Sequence, residues 1–464
     1  MESKQGQAAG PQNFVAAIKT FALFRWRPVL SAEYLLLGLC LYFMLAGNTA
    51  FWRALLAEQA EFGAGLTYAF GVGAALTALQ FLLFAPFLNR WTTKPLLGVL
   101  ILIAGSTSYF SSNFGVYYNK EMLRNVLETN TAEASELLTT GLLLHLLIFA
   151  LPPLFIVLRA RFPARGVLRA FSLRVGSMML AAVLAVGALV SVYKEFSSQM
   201  RNHKQIRHLV TPVAPVWSLI GVLSQNVQSA NVPRQPLGLD AKQGTSWQAA
   251  QKPALFVIVL GETARGTNWG LNRAAGLQTI HDTTPELAKR GVINFPEVTS
   301  CGTSTEVSLP CMFSNQGRRN YDEEAIQNSE SLLNVLQHAG LRVVWNDNQS
   351  GCKGVCTGVE SIRPDPATLP QLCKDEHCFD EALVESSRAL IQDSKGNLVL
   401  VLHQLGNHGP AYFKRYPETF RRFLPTCDVE DLSKCSREQI VNSYDNALLY
   451  TDHVLARTID LLKS

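Results

Sequence analysis

The sequence predicts an α-helical membrane domain of five spans followed by an α/β domain on the far side of the membrane. Three observations carry that fold class. The 464-residue chain is 48% hydrophobic, and the apolar excess is concentrated in its first 200 residues. Five segments there approach the roughly 20 apolar residues that cross a bilayer. Beyond residue 252, strand and helix patterns alternate, which implies a layered domain with a largely parallel sheet.

The spans read as Tyr34 to Phe51, Leu66 to Leu88, Pro95 to Phe110, Leu137 to Leu158 and Phe171 to Val192. Only Arg174, near the start of the fifth, interrupts their uncharged runs. Basic residues set the orientation. Lys4, Lys19, Arg25 and Arg27 precede the first span, Arg90 and Lys94 follow the second, and Arg159, Arg161, Arg165 and Arg169 follow the fourth. These segments are assigned to the cytoplasm, so an odd number of spans exports everything after Val192. The first 30 residues show no cleavable signal peptide.

Between the third and fourth spans, Ser111 to Glu136 has a helical pattern that aligns Asn125, Thr129 and Glu133 on one face. On residues alone this is equally a solvated face. Tyr193 to Val222 mixes basic and apolar residues in the manner of interfacial helices, and Gln225 to Lys252 reads as a linker. The predicted domains are therefore 1–192, 193–235 and 236–464.

In the last domain, strands are expected at Ala254 to Leu260, Leu341 to Trp345 and Leu398 to Leu402. Helices are expected at Ser331 to His338, Phe379 to Gln392 and Arg437 to Leu462. Ligands of such sheets gather at the carboxyl ends of strands. Glu262, Asn346 to Asn348 and His403 to His408 fall there.

Eight of the nine cysteines lie beyond residue 300, which reads as a disulfide framework in an exported domain. Neighbours pair as Cys301 with Cys311, Cys352 with Cys356, Cys373 with Cys378, and Cys427 with Cys435. Eight cysteines allow 105 connectivities, and thiolate zinc ligation by the closely spaced cysteines is the alternative. The net charge of +5 resides mostly in the cytoplasmic loops and does not point to nucleic acid.

Cys301 to Cys311 places four hydroxyl side chains, Thr303, Ser304, Thr305 and Ser308, between two cysteines. Glu262 is an oxygen donor for a divalent metal or a plain surface carboxylate. Thr305 is a metal-activated nucleophile or a helix N-cap.

The segments Gly261-Glu-Thr, Cys301-Gly-Thr-Ser-Thr305 to Cys311-Met-Phe-Ser, Asn348 to Lys353-Gly-Val, and Gly406-Asn-His408-Gly-Pro-Ala-Tyr412 to Arg415-Tyr-Pro resemble the lipid A phosphoethanolamine transferases. That family includes polymyxin-resistance enzymes of Gram-negative bacteria. The resemblance implies an inner-membrane protein with a periplasmic domain of alkaline phosphatase and sulfatase type. It implies zinc-dependent ping-pong transfer from phosphatidylethanolamine to a lipid A phosphate by a monomer embedded among membrane lipids. Thr305 would attack phosphorus and carry the phosphoethanolamine, with Glu262 and Thr305 on zinc. Lys353 and His408 would bind the transferred group or a second metal. Asn125, Thr129 and Glu133 would hold the lipid or its ethanolamine head. The family pattern continues into a strand ending Asp-His-Gly-Glu, which this sequence lacks. The expectation is therefore an incomplete periplasmic domain that binds zinc weakly and catalyses poorly, with a hydrolase or a non-catalytic lipid-binding protein as the alternatives.

Overall fold

A computed structural model describes residues 27–57, 62–129, 131–229, 233–248, 252–276, 280–374 and 377–464. Lys4, Lys19 and Arg25, used above for orientation, and parts of the expected linker lie outside the described residues. The chain divides into two compact units, Met1–Asn119 with Leu142–Trp217, and Lys120–Gly141 with Ser218–Ser464.

The first unit is helical. Among the described residues three helices are long and apolar enough to cross a membrane, and counting each of two bent pairs as one span raises the number to five. The first span runs over Ala32–Tyr42 and Phe43–Gly47 and then bends 61° into Thr49–Leu56. Asn48 causes the bend: its amide donates to the carbonyls of Phe43 (2.8 Å) and Thr211 (2.9 Å), so the side chain replaces backbone bonds that the break leaves open. The second span, Phe62–Phe84, packs tightly against the fifth, Val167–Ser191. A Cβ on Gly71 would clash with Cγ1 of Val192, the residue that follows the fifth span, unless that side chain moved.

The third span, Thr93–Phe114, is longer than the apolar run suggested. Its polar end persists as helix because Thr107 Oγ1 donates to the Ile103 carbonyl (2.7 Å) and Ser108 Oγ to that of Gly105 (3.1 Å). The fourth span is not one straight helix. Thr140–Phe149 and Leu151–Arg159 meet at 42°, where Pro152 and Pro153 withhold backbone donors.

The second unit is built on a parallel sheet. Its strands are β1 (Leu255–Leu260), β2 (Arg342–Asp347), β3 (Glu360–Ile362) and, after a small antiparallel pair β4 (Cys373–Lys374) and β5 (His377–Cys378), β6 (Leu398–His403); the main sheet runs β1-β6-β2-β3. The register sets Leu260 beside His403 and His403 beside Asp347, so three strands end level. Alternate residues serve opposite faces. Val343, Trp345, Val399 and Val401 pack with Leu309 and Leu333 on one side, and Val344, Leu398, Leu400 and Leu402 pack with Leu383 on the other. The long helix Arg437–Lys463 starts at a Ser436/Gln439 capping box and buries Ala447, Tyr450 and Val454. Asp452-His453 lies within this helix.

Two expectations are corrected here. Residues 225–229 continue the helix Val213–Ser229 and are not linker. Gln235 bridges to Ser329, and the Leu237 amide donates to Glu330 (3.0 Å), so this end of the expected linker is pinned to the α/β unit. Asn125, Thr129 and Glu133 also do not share one continuous helix. Lys120–Glu128 ends and Thr131–Leu137 begins across a stretch of poor helix formers, and the Thr129 hydroxyl bonds back to the Asn125 carbonyl (2.7 Å).

Candidate active site

The level strand ends deliver the first components. Two residues beyond β1 stands Glu262, in a turn whose next residue, Thr263, has φ 53. Tyr444 holds that turn, donating to the Thr263 carbonyl (2.6 Å) and accepting from the Arg265 amide (2.8 Å). Glu262 accepts from Thr263 Oγ1 at 2.7 Å and from Thr305 Oγ1 at 2.9 Å. Burial works to raise the pKa of the Glu262 carboxyl, but contacts with His408, Thr263 and Thr305 outweigh it and hold the pKa below the usual carboxylate range. Glu262 is therefore an anion at neutral pH.

Thr305 is not the N-cap. Ser304 occupies that position, and Thr305 is the first residue of the helix Thr305–Met312. Ser304 Oγ is buried without a partner. The helix presents backbone N–H groups and the positive end of its dipole where an anionic group bound at Thr305 would sit. The structure closes Cys301 to Cys311 across this helix, and likewise Cys352 to Cys356, Cys373 to Cys378 and Cys427 to Cys435, leaving Cys40 buried and unpaired.

Lys353 lies inside the Cys352–Cys356 loop with φ 50. It and Thr263 are the two non-glycine residues in the left-handed region among the described residues, a conformation that non-glycine residues hold at a cost and that clusters at functional sites. The Lys353 ammonium is 2.9 Å from Glu128 Oε2, and its side chain is only 6% exposed.

His408 approaches from the loop after β6. Its Nδ1 is 3.6 Å from Glu262 Oε1 and its Nε2 is 3.9 Å from Glu133 Oε1. Gly406, at φ 51, lets that loop cross the Glu262 turn; a Cβ there would lie 2.8 Å from the Glu262 carbonyl oxygen.

The structure thus brings Glu262, Thr305, His408 and Glu133 together, with Lys353 held by Glu128 nearby. Thr129 lies just past the helix end with its hydroxyl turned to its own backbone, and Asn125 sits on Lys120–Glu128. Several residues escaped sequence reasoning. Arg124, buried, pairs with Glu306 (3.5 Å) and Glu323. Glu306, next to Thr305, is pushed up to about 8, first by burial and then by the Glu128 charge. Asp380 and the Glu136–Arg415 pair were also missed. Arg415 lay inside a quoted motif, and Glu136 sits one helical turn after Glu133, a spacing that could have singled it out.

Glu262 and Thr305 are two oxygen donors of a kind zinc accepts. Among the described residues no group of three or more His, Cys, Asp or Glu side chains gathers as a metal cluster.

Residues 76–227 match the family described as phosphoethanolamine transferase EptA/EptB, and residues 254–464 match the sulfatase family. The chain is 35% identical over 456 residues to phosphoethanolamine transferase EptA of Salmonella typhimurium, covering 95% of this chain and 80% of that protein. It is 36% identical over 389 residues to phosphatidylethanolamine transferase Mcr-1 of Escherichia coli, covering 81% and 70%. The solved structure of integral membrane lipooligosaccharide phosphoethanolamine transferase A from Neisseria meningitidis superposes with a TM-score of 0.86 at 33% identity, covering 93% of this chain and 80% of that one. The chain belongs to the phosphoethanolamine transferase family of enzymes. It is a multi-pass integral membrane protein with its α/β unit in the periplasm.

Proposed function

We propose that this member of the phosphoethanolamine transferase family moves phosphoethanolamine from phosphatidylethanolamine to a phosphate of lipid A, through a covalent Thr305 intermediate and with zinc as cofactor. The observation that carries this reading is the 2.9 Å hydrogen bond from Thr305 Oγ1 to the ionised Glu262, at a helix N-terminus over the carboxyl edge of the sheet. In the first step Thr305 Oγ1 attacks phosphorus, its proton passes to Glu262, and the bond from phosphorus to the diacylglycerol oxygen breaks. Diacylglycerol leaves with the proton that Glu262 took up, which returns Glu262 to its anionic form. In the second step an oxygen of the lipid A phosphate attacks the same phosphorus, the bond to Oγ1 breaks, and Thr305 regains a proton.

Zinc held by Glu262 and Thr305 would supply positive charge that favours the threonine alkoxide. The chain's own residues supply the rest. Lys353, released from Glu128, is a point charge for the nonbridging oxygens. His408 faces the reacting group beside Glu262. Glu133 offers a carboxylate to the ethanolamine ammonium, with Asn125 and Thr129 on the same segment. Replacing a phosphate charge of lipid A with a zwitterionic group lowers the negative charge of the outer membrane, the physical basis of polymyxin resistance in this reading.

The test is Thr305→Ala in the full chain, reconstituted with labelled phosphatidylethanolamine and lipid A. Diacylglycerol release and the lipid A mass increase should both vanish. Normal turnover by the variant would remove Thr305 as nucleophile, and release of free phosphoethanolamine by the unmodified chain without lipid A modification would favour a hydrolase.

A further inference from the structure

One short helix faces the His408 ring directly and reaches its backbone through Arg415. On Thr131–Leu137, Glu133 and Glu136 stand three residues apart and so face the same way. Glu133 Oε1 lies 3.9 Å from His408 Nε2. Glu136 accepts from Arg415 at both oxygens, Oε2 to Nη2 at 2.6 Å and Oε1 to Nη1 at 3.3 Å. The remaining face of that guanidinium is used as well, because Arg415 Nε donates to the His408 carbonyl at 2.7 Å.

The side chains of Arg415 and Glu136 are 1% and 2% exposed, so water cannot substitute for these bonds. Lys414 adds a second cation to Glu136 at 3.7 Å. On its other side the His408 loop is tied down independently. The amides of Leu405 and Gly406 donate to Asp380, and Asn407 donates from its backbone to the Glu262 carbonyl (3.0 Å) and from its side chain to that of Tyr444 (2.9 Å). Between these anchors His408 is the residue whose backbone position Arg415 sets. A guanidinium can donate through Nε and both terminal nitrogens at once in a fixed plane, whereas an ammonium in its place cannot span both acceptors.

We propose that Arg415 and Glu136 are positioning residues for the transfer reaction, a buried pair that sets where the His408 imidazole stands relative to Glu262. The inference rests on the reading of Glu262, Thr305 and His408 as the transfer site. It assigns to Arg415 a task that charge alone does not perform. Arg415→Lys preserves the charge beside Glu136 but loses the bond to the His408 carbonyl.

The experiment compares Arg415→Lys, Glu136→Gln and the double variant in the full chain, in nanodiscs. Three quantities are read: thermal midpoint, kcat and KM for the donor lipid, and the imidazole nitrogen resonances of the nine histidines, with His408 assigned through His408→Gln. Displacing a reacting group by about 1 Å costs roughly 100-fold in rate. Arg415→Lys should therefore lower kcat by about that factor with KM changed less than about threefold, and should shift the His408 resonances more than the others. The double variant should lose no more than the worse single variant, as coupled residues do. A folded Arg415→Lys chain with normal kcat and unmoved His408 resonances overturns the proposal, as does a loss confined to the thermal midpoint. Should that variant fail to fold, Glu136→Asp retracts the carboxylate while keeping its charge. The same kcat loss and resonance shift are expected of it, and unchanged values overturn the proposal equally. If the unmodified chain transfers nothing, the transferase reading of the site falls, and the His408 resonances still decide whether Arg415 positions the ring.

Discussion

Asp380→Ala should do more damage than any other single substitution aimed at the loop that carries His408. Asp380 is 4% exposed and precedes the helix Glu381–Gln392, yet it does not cap that helix. It accepts instead from the amides of Leu405 and Gly406 and from Asn348 Nδ2, each at 2.8 Å. Alanine leaves three donors unpaired in a dry site. Each unsatisfied donor costs about 1 to 3 kcal/mol, and taking the low end for all three gives about 3 kcal/mol. For a unit of this size each kcal/mol lowers the melting midpoint by about 2 to 4 °C, so a loss of roughly 10 °C is expected. Asp380→Asn keeps one acceptor oxygen and turns an amide donor toward backbone N–H groups, so it should fall about midway. The measurement is thermal unfolding of the detergent-solubilised chain with disulfides intact, followed by its tryptophan fluorescence. A midpoint for Asp380→Ala within about 2 °C of the unmodified chain would refute the reasoning, because it would mean that water reaches those donors.

Two further outcomes follow from the same kind of accounting. Burial raises the Asp452 carboxyl from its ordinary 3.8 to about 6 although it accepts from the amides of Glu286 (2.8 Å) and Leu287 (3.0 Å). A folded-state pKa above the unfolded one contributes stability that is present below about pH 4 and lost as pH rises through about 6. Between those limits the unmodified chain should lose about 2 to 3 kcal/mol that Asp452→Asn does not lose, read as the difference in their melting midpoints across that range; parallel pH profiles would sink the assignment. Lys353→Gly and Lys353→Ala both delete the ion pair with Glu128, but only alanine keeps a Cβ at φ 50. Glycine should therefore be the more stable by about 1 kcal/mol. The opposite order in thermal melts would show that Lys353 is not strained.

Three strands of the main sheet, β1, β2 and β6, were legible because each contains an apolar run rich in β-branched and aliphatic residues, whereas β3, Glu-Ser-Ile, carries no such run and was not expected. Leu398 to Leu402 needed no long-range information to be recognised as a buried strand. Their order was not legible, since β6 inserts between β1 and β2 through pairings that join Leu255 to Leu398 and Arg342 to Leu398, both distant in sequence. The same limit applies to the site. Local composition offered four hydroxyls in Cys301 to Cys311, and only the fold shows Thr305 facing Glu262 while Ser304 takes the N-cap. The stripe Asn125, Thr129, Glu133 was read with an ideal helical period. The weak helix formers around position 130 broke that period and turned Glu133 toward His408. The third span was underestimated for a related reason: hydroxyls that lower hydropathy satisfy themselves on the preceding turn of their own helix.

The segment Lys120–Gly141 lies between the third and fourth spans in sequence but packs as part of the α/β unit. Its charges explain how it finds one register there. Glu128, Glu133 and Glu136 meet Lys353, His408 and Arg415 in the same order along both stretches of chain. Arg124 carries the opposite sign and meets Glu306 and Glu323. A slip of one helical turn toward the C-terminus would bring Glu128 to the position of Arg124, against two carboxylates in a buried site. Like charges in that setting cost several kcal/mol. The alternative register is thus disfavoured by repulsion as well as by lost attraction. The same pairing that fixes the segment sets an acid against each of the three basic side chains ascribed here to binding or positioning the transferred group. Glu128, the partner of Lys353, is 40% exposed, whereas Glu136, the partner of Arg415, is 2% exposed. The pair at the residue proposed to bind is open to exchange with solvent, and the pair at the residue proposed to position is sealed from it.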